Sequence, residues 1–211
     1  MAKFDILKHQ RRSMRLEGYD YTQPGAYFVT VVTWQRECLL GEIVNGEMRL
    51  NAFGCLVENE WRRLGKRFER VVVDELIVMP NHVHGILEIV EDDLDGVAGQ
   101  ENPIDTIGAR QEGAGKIGKP PFASPLHGRP PGVVPGSLGL IVGAYKSTTA
   151  RLINGIRRSP GMPVWQRNYY EHVIRDKAEL ENIYKYIQYH PLKWQEDQEN
   201  PDAMPLEKPH P

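Results

Sequence analysis

The chain has 211 residues, of which 40% are apolar and 26% are charged, and its formal net charge is −2. These values are ordinary for a globular protein, and no apolar run reaches the length needed to cross a membrane. The first ten residues are polar and charged, so no signal peptide is expected. Two cysteines, Cys38 and Cys55, do not suggest a disulfide framework. We therefore expect a cytoplasmic protein without a membrane partner.

The charges are distributed unevenly along the chain. Residues 136–170 contain five basic residues and no acidic residue, whereas acidic residues concentrate in residues 91–112 and 196–207. Binding to a nucleic acid requires a local positive surface and not a positive average. The pattern is compatible with DNA binding, and equally with an ordinary scatter of charge.

The first half of the chain predicts a strand, a hairpin and a helix. Residues 26–34 are rich in β-branched and aromatic residues, which is typical of a strand. Residues 39–50 have the pattern of a hairpin that turns at Asn45-Gly46. Asn51 is a predicted N-cap. The helix after it has apolar residues at helical spacing, namely Phe53, Leu56, Val57, Trp61 and Leu64.

Two strands and an insertion follow. Residues 71–78 and 82–90 are predicted strands, with Met79-Pro80-Asn81 between them. Residues 91–135 are rich in glycine and proline and show no sustained period. Such a segment predicts a long mobile insertion.

The last predicted elements are a helix, a strand and a second helix. The helix begins at Ser137 and ends near Asn154, and residues 164–174 form the strand. Asp176 and Glu179 form a capping box for the final helix, which ends before Pro191. The residues predicted on the inner side of the first of these helices are Leu138, Ile141, Val142, Tyr145 and Leu152.

The order of the predicted elements indicates the fold class. Without the early hairpin, the order is β-α-β-β-α-β followed by one helix. This order is typical of an α+β, ferredoxin-like fold with an antiparallel sheet, here with an extra hairpin and a C-terminal helix. We divide the chain into an N-terminal arm (residues 1–25), one domain (residues 26–194) that contains the insertion, and an acidic, proline-containing tail (residues 195–211).

His82 and His84 form the sharpest local feature. Residues i and i+2 of a strand point to the same face, so the two imidazoles could bind one divalent cation if a third ligand is present. Val83 would point into the core. Two histidines at the protein surface would give the same pattern.

The final helix could supply the missing ligand together with a nucleophile. Its apolar face predicts that Tyr184 lies in the core and Tyr189 at the surface. Tyr186 lies on a flank, and His190 follows four residues later on the same flank. A tyrosine hydroxyl can attack phosphorus when a cation polarises the phosphodiester. A packing tyrosine and a solvated histidine at a helix end are the alternatives.

Several segments of the chain resemble known families. Residues 79–84 (MPNHVH) resemble the histidine-hydrophobic-histidine motif of HUH single-strand nucleases. Residues 165–172 (WQRNYYEH) and 186–191 (YIQYHP) resemble the REP-associated tyrosine transposases, which are relatives of the single-tyrosine insertion-sequence transposases. The segments 11–16 (RRSMRL) and 18–21 (GYDY) are similar to the same family, so the resemblance covers roughly residues 11–194 apart from the insertion.

The resemblance implies a function as well as the ferredoxin-like fold. It implies that Mg²⁺ or Mn²⁺ is bound by His82, His84 and the residue one turn after the tyrosine, which is His190 in this chain. It implies that Tyr186 attacks single-stranded DNA and forms a 5′-phosphotyrosine and a free 3′-hydroxyl. The family usually has Asn or Gln at the position of His190, and imidazole favours softer metals than an amide oxygen does.

The implied partner is single-stranded or hairpin DNA, typically a repetitive palindrome. Relatives that pair two subunits can exchange their tyrosine helices, so a homodimer is one alternative. The candidates for phosphate contacts are Arg12, Arg15, Lys146, Arg151 and Arg167, with a solvated basic face as the alternative. The candidates for stacking on bases are Trp165, Tyr169 and Tyr170, of which we expect at least one to lie in the core.

Two other functions are compatible with the same residues. The first is a domesticated, sequence-specific DNA-binding protein without cleavage activity. The second is an unrelated metal hydrolase that uses His82 and His84 with His172 or His190. Neither the MPNHVH segment nor the YIQYHP segment contains a carboxylate that could act as the general base of such an enzyme.

Overall fold

A computed structural model describes residues 19–91 and 134–203 of the chain. Arg12, Arg15 and almost all of the predicted insertion lie outside these residues, as does the end of the predicted tail. Within the described ranges, no helix is long and apolar enough to span a membrane.

The described residues form six strands and four α-helices. The elements in chain order are β1 (Gly25–Val32), β2 (Gly41–Val44), β3 (Glu47–Leu50), α1 (Ala52–Arg62), α2 (Leu64–Arg67), β4 (Val71–Val78), β5 (His82–Ile89), α3 (Leu138–Ile156), β6 (Tyr170–Ile174) and α4 (Lys177–Tyr189). Two 3₁₀ segments, Trp34–Arg36 and Pro191–Glu196, follow β1 and α4. The combination of strands and helices that the α+β prediction requires is confirmed.

Four strands form one antiparallel sheet in the order β4-β5-β1-β6. The central strand β1 pairs with β5 and with β6. In this register Val32 lies opposite His82, and Thr30 lies opposite His84. The histidine-bearing strand is therefore internal to the sheet, with neighbours on both sides.

The predicted hairpin forms a separate two-stranded sheet, β2-β3. Asn45 and Gly46 make its turn with φ angles of 54° and 80°. Glycine and asparagine are the residues that best tolerate this left-handed conformation. Asn51 then caps α1, because its side-chain oxygen accepts hydrogen bonds from the backbone N–H groups of Phe53 and Gly54.

One face of the four-stranded sheet packs against α1 and α3. Odd-numbered residues of β1 lie in this core together with Val83 and Leu87 of β5. Trp61 of α1 is fully buried and packs edge-on against Tyr145 of α3, with ring centroids 5.0 Å apart. This large apolar cluster packs against one face of β5, and His82 and His84 lie on the other face.

Gly85 allows Trp61 to approach β5 closely. A Cβ atom built on Gly85 would lie 2.3 Å from Cζ2 of the Trp61 ring, far inside a normal carbon–carbon contact. The indole therefore occupies the space that a side chain at this position would need. The glycine immediately after His84 is a packing requirement of the strand.

The opposite face of the sheet packs against α4. Asp176 caps this helix by accepting a hydrogen bond from the backbone N–H of Glu179, as the capping box predicts. The buried residues of this second cluster are Phe28, Ile86, Tyr170, Ile183 and Ile187. The final helix therefore lies on the same face of the sheet as the two histidines.

Two predicted features of the second half are wrong. Leu152 is 36% exposed, and Ile153 is buried in its place, because the buried stripe of α3 passes one residue further along the helix. The strand predicted at residues 164–174 is confined to β6, and Trp165 contributes only an isolated bridge to Thr33. The Lys146 ammonium group binds the carbonyl oxygens of residues 166, 167 and 168, which replaces strand pairing there.

Candidate metal centre and neighbouring tyrosine

His82 and His84 lie side by side on the face of β5 that α4 covers. Their side chains are 0% and 1% exposed, and their ring centroids are 4.5 Å apart. Val83 points into the core of the opposite face, as predicted. The alternative that both histidines lie at the protein surface is therefore wrong.

Asn81 orients the His82 ring. The Asn81 side-chain amide nitrogen donates to the carbonyl oxygens of Arg36 and Glu199, at 3.0 Å and 2.6 Å, which leaves its Oδ1 atom as an acceptor. His82 Nδ1 lies 2.8 Å from that oxygen and must donate to it. In a neutral ring the proton is then on Nδ1, and Nε2 presents a lone pair.

His84 is held by residues of the neighbouring strand β1. Its Nδ1 atom lies 2.8 Å from the hydroxyl oxygen of Thr30, and its ring stacks on Phe28. A hydrogen bond at one ring nitrogen fixes the direction in which the other nitrogen points, as in metal-binding histidines generally. Thr30 and Asn81 therefore play equivalent parts for the two rings.

His190 completes a cluster of three imidazoles. It follows directly after α4 and is only 4% exposed, so it is not a solvated residue at a helix end. Its Nε2 atom lies 3.0 Å from Nε2 of His82 and 3.2 Å from Nε2 of His84. One nitrogen from each ring lies within 4.8 Å of the others, which is a geometry that could hold one metal ion. His172 contacts Glu179 at 2.7 Å and is not part of this cluster.

Burial keeps the two strand histidines neutral. It lowers the pKa of His82 to about 3, with Asp197 opposing and His190 reinforcing the decrease. Burial and the neighbouring rings of His82 and His190 lower the pKa of His84 well below its ordinary value. A metal ion requires the neutral form of imidazole, so these two side chains are in the binding state at neutral pH.

Tyr186 lies beside the imidazole cluster. Its hydroxyl oxygen is 3.3 Å from Nε2 of His84, and its ring packs on His84 and His190. Burial, followed by the negative charges of Asp197 and Glu199, raises the pKa of Tyr186 above its usual range. The hydroxyl is therefore protonated at neutral pH, and a cation beside it would favour its ionisation.

The other tyrosines of α4 lie away from the cluster. Tyr189 is 51% exposed, as predicted. Tyr184 is half-buried against the apolar cluster under α4, and its hydroxyl donates to the carboxylate of Asp74. The prediction of a core position for Tyr184 is therefore correct for part of the ring and wrong for the hydroxyl.

Asp197 is a site residue that the sequence reasoning missed. It was grouped with the acidic tail, yet its side chain is 2% exposed. One carboxylate oxygen, Oδ2, lies 2.7 Å from Nε2 of His190 and 3.6 Å from Nε2 of His82. Desolvation opposes its ionisation, but the two histidines and the backbone N–H of Glu199 hold the pKa of Asp197 below its usual value. No local pattern marks Asp197, because its importance depends on a chain reversal after α4.

The predicted DNA-contact residues that the structure describes differ in whether their side chains are accessible to DNA. Arg151 and Arg167 are exposed. Lys146 uses its ammonium group to hold three backbone carbonyls, so a phosphate contact would require it to release them. Trp165 is buried, and its indole N–H donates to the Thr149 hydroxyl at 2.8 Å, which places it in the core and not at a base-stacking surface.

Comparison with known proteins gives one clear relative. The chain is 36% identical over 197 residues to an uncharacterized protein of Haemophilus influenzae, and the match covers 93% of this chain and 97% of that protein. The chain belongs to the same family as this protein. No family model matches the chain.

Two solved structures are similar to the chain at lower levels. One is a REP-associated tyrosine transposase bound to a REP hairpin, with 13% identity, a TM-score of 0.46, and coverage of 92% of this chain and 74% of that chain. The other is a Deinococcus radiodurans protein classed as a transposase, with 16% identity, a TM-score of 0.39, and coverage of 81% and 92%. The first belongs to the family that the motifs resemble. Likenesses at this level carry no argument about the activity of this chain.

Proposed function

We propose that this protein is a metal-dependent endonuclease and strand-transferase, a tyrosine transposase that cleaves and rejoins single-stranded, hairpin-forming DNA. The observation that supports this function best is the position of the Tyr186 hydroxyl, 3.3 Å from Nε2 of His84 at the edge of the three-imidazole cluster. The motif resemblance supplies the substrate class. The strand order β4-β5-β1-β6, with α1 and α3 as the two connections, supports the ferredoxin-like topology.

The residues present fit a divalent cation. Nitrogen atoms about 2.1 Å from one cation lie roughly 3.0–3.4 Å apart, and the Nε2 atom of His190 is 3.0 Å and 3.2 Å from those of His82 and His84. Nδ1 of each strand histidine already has a partner, so Nε2 is the atom left for the cation. Asp197 Oδ2 is a buried carboxylate oxygen beside these nitrogens, 2.7 Å from Nε2 of His190 and 3.6 Å from Nε2 of His82.

In the proposed reaction, Tyr186 is the nucleophile that cleaves the DNA. The Tyr186 oxygen forms a bond to phosphorus, the bond from phosphorus to the 3′-oxygen breaks, and the DNA is left as a 5′-phosphotyrosine and a free 3′-hydroxyl. The phenolic proton passes to solvent, and the released 3′-oxygen takes one proton up. Attack of a 3′-hydroxyl on the phosphotyrosine reverses these steps and rejoins the strand without a nucleotide cofactor. A bound Mg²⁺ or Mn²⁺ would polarise the phosphate and stabilise the developing charge.

Formation of the covalent intermediate tests this function. A pool of single-stranded hairpin oligonucleotides with randomised flanks and a 3′ label is incubated with the protein and Mn²⁺, then separated on a denaturing gel. We expect a labelled protein–DNA adduct with the natural chain and no adduct with Tyr186→Phe. Tyr189→Phe is the matched control, because Tyr189 is on the same helix but is exposed, and it should form the adduct normally. An undiminished adduct with Tyr186→Phe would remove Tyr186 as the nucleophile.

Asp197 favours one second candidate, a metal-dependent hydrolase. The two histidine-containing segments MPNHVH and YIQYHP contain no carboxylate, but the structure brings a buried one to the imidazole cluster, where it could activate water. This function predicts cleaved DNA that is not linked to protein and cleavage that persists in Tyr186→Phe. Binding of hairpin DNA without cleavage under any divalent metal would instead identify a DNA-binding protein that has no nuclease activity.

A further inference from the structure

The chain segment after α4 returns to the metal centre. The 3₁₀ segment Pro191–Glu196 reverses the chain, and Trp194 is 8% exposed, with its ring centroid 6.1 Å from that of His82. Asp197 follows this segment directly. The arrangement is held at a second point, where Glu199 pairs with Arg36 at 2.6 Å and its carbonyl accepts from Asn81.

The two oxygens of the Asp197 carboxylate have different surroundings. Its Oδ1 atom accepts a hydrogen bond from the backbone N–H of Glu199 at 2.7 Å. Its Oδ2 atom is completely buried and faces the imidazole cluster, where its neighbours are Nε2 of His190 at 2.7 Å and Nε2 of His82 at 3.6 Å. A buried carboxylate requires a positive charge or a donor beside it, because burial removes the water that would otherwise stabilise its charge.

The atoms that surround Oδ2 favour the binding of a positive charge. Nε2 of His82 presents a lone pair, because Asn81 holds the proton of that ring on Nδ1. A lone pair and a carboxylate oxygen therefore face the same small volume from two sides. A divalent cation between them would satisfy both, and carboxylate oxygen is a ligand that Mg²⁺ and Mn²⁺ prefer.

We infer that Asp197 is a fourth protein ligand of the cation held by His82, His84 and His190. This inference rests on the metal-binding part of the proposed function and is independent of the role of Tyr186. The site then has three nitrogen ligands and one anionic oxygen ligand. The segment from residue 191 to residue 200 becomes a structural part of the metal centre, and its order is coupled to metal binding.

Titration of the protein with MnCl₂, followed by the electron paramagnetic resonance signal of free Mn²⁺, tests this inference without DNA or turnover. We expect Asp197→Asn to weaken Mn²⁺ binding by about 10- to 100-fold or more, the loss seen when even an outer partner of a metal site is removed. Glu196→Gln is the matched control, since it alters an exposed acid directly before Asp197 in the chain. Its Mn²⁺ affinity should stay within about twofold of the natural chain. Equal affinities for the natural chain and Asp197→Asn would overturn the inference.

Direct bonding is separated from an indirect effect by Co²⁺ spectroscopy. Asp197→Cys should give a sulfur-to-cobalt charge-transfer band in the near ultraviolet, which arises only when the sulfur is bonded to the ion. Glu196→Cys, at an exposed position, should show no such band, and the natural chain corrects for any contribution of the exposed Cys38 and Cys55. If Asp197→Asn binds Mn²⁺ more weakly but Asp197→Cys shows no cobalt band, Asp197 only positions His190. The assignment of Asp197 as a metal ligand would then be wrong.

Failure of this inference and failure of the proposed function give different results. If the natural chain binds Mn²⁺, His82→Ala abolishes binding and Asp197→Asn does not weaken it, the fourth ligand is wrong and the transposase function stands. If Asp197→Asn weakens binding and Asp197→Cys gives the cobalt band, but no DNA adduct forms, the ligand stands and the nuclease function is wrong. Circular dichroism of each variant shows that it is folded before either comparison is made.

Discussion

The contact between Gly85 and Trp61 provides a quantitative test of how the histidine strand is held. In Gly85→Ala, the new Cβ would lie 2.3, 2.7 and 3.1 Å from three atoms of the Trp61 ring. Carbon atoms in contact prefer about 3.5–4.0 Å, so the ring or the strand must move by more than about 1 Å. Trp61 is 0% exposed and packs edge-on against Tyr145, so its ring cannot move out toward solvent without disturbing the core.

The expected cost follows from this geometry. Overpacking of a closed core typically costs about 1–3 kcal/mol, and the short distances here place Gly85→Ala near the upper end, at about 3 kcal/mol. We expect urea denaturation to show this decrease in the free energy of unfolding. Because Gly85 adjoins His84, the folded fraction should also bind Mn²⁺ more weakly than the natural chain.

Gly143→Ala is a matched control that distinguishes overpacking at Gly85 from a general effect of replacing glycine by alanine. Gly143 lies in α3, and a Cβ built on it meets nothing within 4 Å. Gly143→Ala should therefore raise the free energy of unfolding by about 0.5–1 kcal/mol, since alanine favours a helix interior. A loss below about 0.5 kcal/mol in Gly85→Ala would refute the packing argument. Trp61→Phe combined with Gly85→Ala should lose less than the two single variants together.

Three further predictions concern pH, the Lys146 loop and the metal. Because the pKa of His82 is about 3 when folded and about 6.5 when unfolded, the unfolded chain binds more protons between these pH values. In the metal-free protein, this group should therefore lower the free energy of unfolding by about 2 kcal/mol as the pH falls from 7 to 5. Denaturation curves of His82→Asn should not show this decrease. Equal pH dependence of the two proteins would contradict the prediction. Lys146→Met removes three charged hydrogen bonds to carbonyls and should lower the free energy of unfolding by about 2–3 kcal/mol, whereas exposed Arg151→Met should change it by less than about 0.5 kcal/mol. Three imidazole ligands favour Zn²⁺ over Mn²⁺ and Mn²⁺ over Mg²⁺, an order that calorimetric titration would show; tighter binding of Mg²⁺ than of Mn²⁺ would be inconsistent with His190 as a ligand.

Local chemistry made much of this protein predictable. The period of two residues along a strand places His82 and His84 on one face, and the four-residue spacing of a helix places His190 near Tyr186. The Asn45-Gly46 turn and the Asn51 cap also follow from local preferences, and the structure has both. These features depend on residues close together in the chain, where backbone geometry alone determines which side chains are neighbours.

The tertiary structure decided what distant segments contribute. Asp197 reaches the cluster only because the chain reverses after α4, and Trp61 requires Gly85 only because α1 packs behind β5. Lys146 is committed to the carbonyls that follow Trp165, a contact that the charge pattern could not distinguish from a DNA-binding surface. Long-range contacts depend on how whole elements pack together, and neither a residue type nor a spacing specifies that packing.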